Sequence, residues 1–441
     1  MEHLLSERIK STPPSFIRSI LKTAADPQII SFAGGLPNPV SFPQEELLVS
    51  MERIVRDYGS SLFQYSITAG LPELRQYIAD RYNRRFGLKL GIENILITTG
   101  SQQALDLISK VLLNTGDGVI VEKPSYLGAI QAFSQYQPVF YPVELTEEGM
   151  DIEQLKDALK HDVKFIYAIP DFQNPTGLSY CAENRACIRE VLREREIVLV
   201  EDDPYGELRF DEGGRIPYIG AGQLPGSILL GTFSKTVTPG MRTGFMICAD
   251  TELLKHISVA KEASDLHTNI FSQYLIWDYL MHNDYDAHID QIRQLYKEQA
   301  QAMTEAMDRY FPETVRYTRP RGGMFLWVTL PEGVSALSLF PKALEKKVAF
   351  VPGDPFYINM TDTNTMRLNF TNADCSMIDE GIRRLGELLR ENKVYVERIL
   401  SYANAGLVNL IRGKGELLSE AYEEDGIHVK AYVPMEIYHL L

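Results

Sequence analysis

Apolar positions in this chain gather into short continuous runs. ILIT (95–98), GVIVE (118–122), VFYPV (139–143), KFIYAI (164–169), IVLVE (197–201), SILLG (227–231) and GFMICA (244–249) are each too short for a globular helix. Between several of them lie stretches of helical period, such as SQQALDLISKVLL and 126–136. Continuous apolar strands alternating with helices predict an α/β domain, its mainly parallel sheet covered on both faces. That domain is read over 46–285, and it begins with helices around the loop FQYSITAG.

The flanks follow other patterns. Residues 1–45 read as an N-terminal arm, with a helix-like piece at 16–24 and then SFAGGLPNPVSFP, which is rich in turn residues. A charged helical stretch at 285–309 leads into GGMFLWVTL, a helix near 335–345, VAFVPG, MRLNF and a helix at 375–392. This is the pattern of a smaller α+β domain, 286–393, which takes in the N-terminal arm. Residues 394–441 read as a C-terminal αβ appendage. It holds helix candidates at 406–411 and 415–422, a turn at Glu424-Asp425-Gly426 and a strand, IHVKAYV.

Composition narrows the function classes. The 441 residues are 45% hydrophobic, enough for a sizeable core, and carry a net charge of −15. Such acidity argues against nucleic acid and against anionic membranes as partners. The four cysteines show no metal-ligand spacing, so no metal is expected and free thiols are the simplest reading. The N-terminus lacks the apolar core of a signal peptide, and no run of about 18 apolar residues occurs. A cytoplasmic location is the expectation.

In a parallel α/β sheet, ligands bind beyond the C-terminal ends of the strands. The residues after each run therefore deserve separate reading. After ILIT, Ser101 and Gln102 open a helix whose free N–H groups suit a phosphate, although Ser101 alone reads equally as an ordinary cap. After GVIVE stands Tyr126, an aromatic placed to stack on a flat ring or a plain loop tyrosine. After KFIYAI, Asn174 lies in NPTG, which is turn chemistry but also offers an amide. After IVLVE come Asp202 and Tyr205; a carboxylate at a buried strand end needs a cation. After SILLG come Thr232, Ser234 and Lys235, with Arg242 seven residues on.

One sheet edge thus presents a phosphate cup, an aromatic plate, an amide, an acid, a phenol and a lysine. The ligand implied is planar, phosphorylated, cationic at one ring atom and able to bond to an amine. Pyridoxal 5′-phosphate fits that description.

At this point the chain resembles a known family over roughly 10–392: the fold-type I, class I/II aminotransferases, nearest the 2-aminoadipate and kynurenine branch. The likeness rests on SFAGGLPNP, LFQYSITAGLPELR, ITTGSQQALDL, PSYLGAIQAF, PDFQNPTG, VEDDPYGELRF, TFSKTVTPGMRTGF, SDLHT, RGGMFLW, VPGDPFY and MRLNF, in family order. The resemblance implies that Lys235 is the Schiff-base lysine and general base, and that Asp202 faces the pyridine nitrogen. It implies that Tyr205 and Asn174 donate to the ring oxygen and that Tyr126 stacks on the ring. Ser101, Gln102, Thr232, Ser234 and Arg242 would hold the phosphate, with Tyr65 reaching it across a homodimer interface. Arg367 would clamp the substrate carboxylate beside Gly35 and Asn174. Thr232 stands where relatives often have serine, and the hydroxyl is kept.

The activity implied is transfer of an amino group from an amino acid (2-aminoadipate, glutamate, aromatic or branched-chain) to a 2-oxo acid such as 2-oxoglutarate, with ping-pong kinetics. Arg18 pairs with a distal substrate carboxylate in one reading and is a solvated helix residue in the other. Rival classes are a different reaction of the same cofactor, such as β-elimination, and a non-catalytic regulatory relative. The tail resembles the C-terminal end of HflX-type ribosome-associated GTPases in GELLSEAYEEDGIHVKAYVP, without any nucleotide-binding loop.

Overall fold

The computed structural model describes residues 2–10, 26–211, 217–359, 361–391, 393–438 and 440–441. At its centre is an eight-stranded sheet. In spatial order the strands are Ile95–Thr98, Gly244–Cys248, Ser227–Thr232, Val198–Asp202, Val163–Ala168, Gly118–Lys123, Val139–Thr146 and Gly149–Met150. All seven apolar runs form strands, and only the short edge strand Gly149–Met150 went unread. The five from Ser227–Thr232 to Val139–Thr146 are mutually parallel.

Burial on both faces explains the continuous apolar runs. Val119 and Val121 join the core that also holds Leu105 of helix Gly100–Leu112, whereas Ile120 joins the one holding Ile188 of helix Ala182–Leu192. With helices on both sides, neither face has room for a polar alternation.

Strand Gly244–Cys248 runs antiparallel to both neighbours, and its first residue pairs with Thr232 on one side and Thr98 on the other. Residues just before it therefore arrive at the same edge as residues just after the parallel strands. That is how Arg242 joins the set.

A four-stranded antiparallel sheet is built from Arg316–Tyr317, Phe325–Thr329, Thr365–Asn369 and Val351–Pro352. Helix Tyr285–Tyr310 packs along helix Cys375–Glu391. The arm is fastened here too. Ile30–Ser31 pairs with Val348–Ala349, and the Asn38 N–H donates to the Tyr296 hydroxyl at 3.0 Å. These anchors hold Gly35 against the central sheet's C-terminal edge. The helix-like piece expected at 16–24 lies outside the described residues.

The tail corrects one expectation. Segment 415–422 is not helical: Glu416–Glu423 is a strand, paired antiparallel with Gly426–Pro434, which also pairs with Lys393–Leu400. One face of this three-stranded sheet carries Val396, Leu400, Ile427, Val429 and Val433. They pack with Val408 and Ile411 of helix Gly406–Lys414. Completing that core outweighs the local helix preference of Glu, Leu and Ala. No helix among the described residues is long and apolar enough to cross a membrane.

Candidate active site

Glu201 and Asp202 end strand Val198–Asp202 and Asp203 follows it; the strand's period of two sends the first two to opposite faces. Glu201 turns to one face and accepts the N–H groups of Ile219, Gly220 and Ala221 at 2.7, 2.6 and 3.2 Å. Asp203 fixes the following turn by accepting the Gly206 N–H at 2.9 Å. Asp202 faces a cavity of about 340 Å³ at the sheet edge. On the neighbouring strand Tyr167 is in register with Val200, so it shares a face with Asp202 and donates its hydroxyl to Oδ2 at 2.8 Å. Asp202 Oδ1 is buried with no partner. Burial pushes this carboxyl up to about 7.

Hydroxyls, a guanidinium and a helix start form one end of the cavity. Helix Gly100–Leu112 begins at a glycine with φ 72°, and a Cβ there would meet Arg242 Nη2 at 2.6 Å. The bare α-carbon is what lets the guanidinium lie over the helix start. Thr232 Oγ1 accepts the Ser234 N–H at 3.1 Å and donates to Ser234 Oγ at 3.0 Å. Ser101 Oγ is buried without a partner. The Gln102 side chain donates to Gly128 O at 2.8 Å, bracing the helix that begins at Leu127. One of its amide hydrogens is therefore already used.

Lys235 Nζ donates to Gly35 O at 3.0 Å. Burial, then the nearby Arg242 and Arg367 charges, bring its ammonium down to about 8. Arg367 is 3% exposed; it donates to Asn174 Oδ1 at 2.8 Å and to Ala33 O at 2.9 Å. Its guanidinium lies 4.3 Å from the Phe325 ring centre, and burial lowers its pKa to about 10. Asn174 Nδ2 donates to the Tyr205 hydroxyl at 3.3 Å, and Tyr126 completes the wall.

Of the described residues named from sequence, Tyr65 is not brought here. Tyr65 is 79% exposed and stands edge-on to His267 at 6.0 Å, and Arg18 lies outside the described residues. Every other site residue named from sequence lines the cavity. Sequence reasoning missed Tyr167, Phe325, Ile169, Pro204 and the Ala33 carbonyl. Tyr167 was the findable one, a single phenol two positions from the end of the run KFIYAI. A larger cavity of about 710 Å³ is lined by Gly177, Glu148, Arg209, Arg316 and Trp327 among others. It gathers neither the lysine nor the acid.

The chemistry of this donor set fits pyridoxal 5′-phosphate. Three buried polar atoms of cavity residues lack protein partners: Asp202 Oδ1, Ser101 Oγ and Arg367 Nε. An acid oxygen suits a ring N–H, a hydroxyl beside a guanidinium suits a phosphate, and a weakly basic amine suits an aldehyde.

Comparison with known proteins agrees. Residues 41–385 match the family described as aminotransferase class I and II. A 2-aminoadipate transaminase of Thermus thermophilus is 46% identical, the match covering 85% of this chain and 94% of the relative. An aromatic-amino-acid aminotransferase of Thermococcus litoralis is 39% identical over 88% and 95%. Among solved structures, an α-aminoadipate aminotransferase from Thermus thermophilus, complexed with N-(5′-phosphopyridoxyl)-L-leucine, superposes with a TM-score of 0.82 at 43% identity, over 88% of this chain and 97% of that one. A Pyrococcus horikoshii kynurenine aminotransferase gives 0.84 at 41% identity, with the same coverage.

Proposed function

The chain belongs to the class I and II aminotransferases, and on that premise we propose that it moves the amino group of an acidic, aromatic or branched-chain amino acid to 2-oxoglutarate in a ping-pong cycle. It is a pyridoxal-phosphate-dependent aminotransferase. The observation that carries the residue assignment is the unpartnered Asp202 Oδ1 in the same cavity as Lys235.

When bound, pyridoxal phosphate supplies an aldehyde that bonds to amines and a protonated ring that takes up the electron pair released at the substrate α-carbon. The chain's residues have separate tasks around it. Ser101, Gln102, Thr232, Ser234 and Arg242 hold the phosphate at the helix start. Asp202 holds the ring nitrogen's proton, and the Tyr167 hydroxyl keeps that carboxylate oriented. Asn174 and Tyr205 donate to the ring oxygen, and Tyr126 stacks on the ring. Lys235, an amine brought down to about 8, takes the α-proton and returns it. Arg367 binds the substrate carboxylate, held by Asn174 and Ala33 in an orientation suited to bidentate contact. Gly35 lines the substrate's side of the cavity.

Substrate choice is read from the named relatives, and Arg18 in the arm is the proposed partner of a distal carboxylate. Two copies are proposed to pair over the exposed Leu36, Phe63, Tyr65 and Ile67, bringing Tyr65 to the partner's phosphate. We place the enzyme in the cytoplasm. The tail is proposed to be an HflX-like appendage outside the reaction.

Borohydride reduction followed by peptide mapping tests the core of this reading. The pyridoxyl mass belongs on Lys235, and its recovery on another lysine overturns the assignment. Glutamate formed from 2-oxoglutarate separates transamination from β-elimination. A donor panel compared between wild type and Arg18→Ala tests the acidic preference; unchanged discrimination between acidic and neutral donors removes Arg18 from the site.

A further inference from the structure

The block SDLHT (264–268) contributes no side chain to the cavity, yet the fold sets it behind the phosphate end. Asp265 is the last residue of helix Thr251–Asp265. Its carboxylate accepts from Lys261 Nζ at 2.7 and 2.9 Å, from Gln103 Nε2 at 2.6 Å and from the Thr99 hydroxyl at 3.3 Å. Gln103 Oε1 in turn accepts the Thr99 N–H at 2.8 Å. Thr99 Oγ1 also lies 3.2 Å from Thr268 Oγ1. The turn that opens helix Gly100–Leu112 is thus gripped through Thr99 just before it and Gln103 just inside it.

The grip extends sideways. Gln273 Nε2 donates to Thr268 O at 2.8 Å, and Gln273 Oε1 accepts the Leu71 N–H at 2.8 Å. Leu71 ends the loop that carries Tyr65, so one block ties together two segments assigned to the phosphate.

The charges need explaining as well. A carboxylate at a helix C-terminus is opposed by the helix dipole, and here it also stands behind a site for an anion. Lys261 is 0% exposed on its side chain, a costly place for a cation without a partner. As a pair the two ions cancel. The carboxylate can then collect its neutral donors without repelling the phosphate.

We propose that Asp265, neutralised by Lys261, is a positioning residue that sets the Thr99–Gly100 turn so that the N–H groups of Ser101 and Gln102 converge on the cofactor's phosphate. This rests on reading the cavity as the pyridoxal phosphate site. It gives SDLHT a task that cavity lining alone does not reveal.

The test compares equilibrium binding of pyridoxal 5′-phosphate and of pyridoxal, which lacks the phosphate, to the cofactor-free full-length chain. Asp265→Ala and Asp265→Asn weaken pyridoxal phosphate by about tenfold or more, the scale of one lost charge-assisted hydrogen bond. Pyridoxal changes by less than about twofold, since its ring and aldehyde contacts lie elsewhere. Lys261→Met, which leaves a bare carboxylate behind the cup, also weakens only the phosphorylated ligand, and the double variant Lys261→Met/Asp265→Asn recovers part of the loss. Equal weakening of both ligands, or none for pyridoxal phosphate, overturns the proposal. If the Asp265 variants fail to fold, as read by circular dichroism, Thr99→Val decides by the same selectivity. Wild-type chain that binds pyridoxal phosphate no tighter than pyridoxal would instead sink the reading of the site itself.

Discussion

Removing the charge of Asp202 should stabilise the cofactor-free chain while disabling the enzyme. The residue is 2% exposed, and burial lifts its carboxyl from 3.8 to about 7. Its folded pKa thus lies above its unfolded one, so between those values the folded chain keeps a proton that the unfolded chain has released. The stability this contributes is fully present below the unfolded value and is lost as pH rises through about 7. Each pH unit inside the window carries about 1.4 kcal/mol. From pH 5 to pH 8 roughly two such units are crossed, on the order of 3 kcal/mol. Asp202→Asn keeps the shape and the acceptor for Tyr167 but cannot ionise. In urea unfolding of the cofactor-free proteins, the gap between wild type and variant should shift by about 3 kcal/mol in the variant's favour from pH 5 to pH 8. Glu122, whose buried carboxyl is also raised to about 7, is present in both proteins and cancels. The same variant should lose on the order of 10²–10³ in kcat, since a charge aimed at the reacting system is gone. Parallel pH curves for the two proteins would refute the burial argument, and full activity would refute the role.

Other perturbations follow from the same geometry. Gly100→Ala places a Cβ at a φ of 72° and 2.6 Å from Arg242 Nη2. It should weaken pyridoxal phosphate binding by about tenfold while the chain stays folded, as read by equilibrium dialysis and circular dichroism; unaltered affinity would mean that Arg242 does not lie over the helix start. Capture of pyridoxal phosphate by the cofactor-free chain needs the neutral amine of Lys235, so its stopped-flow rate should climb as pH rises through about 8 and level off above; a flat profile from about pH 6 to 9 would contradict a pKa near 8. Deleting residues 393–441 should leave kcat within about twofold but lower stability by about 2–3 kcal/mol, because Val394 is buried in the main core and Tyr438 packs against it. A large loss of turnover in that variant would make the tail part of the enzyme.

The cavity was legible in the sequence because a parallel sheet converts position in the chain into position in space. Each run ends at the same edge, so the residue after each run is a residue at the site. Asp202, Asn174, Tyr205 and Lys235 follow from that rule with no further information. Arg242 follows from a different rule, since it precedes its strand. Its place depends on Gly244–Cys248 being antiparallel, which an apolar run of that length does not declare. The tail shows the opposite limit. GELLSEAYEE has local helix preference, and only the pairing of Gly426–Pro434 with two neighbours makes it a strand. Contacts between residues far apart in sequence decided it, and periodicity within one segment does not contain them.

The residues that went unread share a physical feature. Tyr167 touches the cavity residue Asp202, while Gln103, Lys261 and Asp265 touch Thr99 or one another; none lines the cavity, so no strand end announces them. Tyr167 sits one strand over from Asp202 and reaches it only because the register Tyr167 to Val200 puts both side chains on one face. Asp265 reaches the turn beside the cup from a helix more than 150 residues on from Thr99, as the Gln103 contact spans 162 positions. Groups that meet a ligand must stand where backbone geometry delivers them, and backbone geometry has a period. Groups that hold those groups need only reach them, and any element packed alongside can supply one. Orientation of the site is therefore dispersed through the fold even where its chemistry is concentrated at one edge. The selective loss of phosphate binding expected for Asp265 variants would measure how much of the site's function rests on that dispersed part.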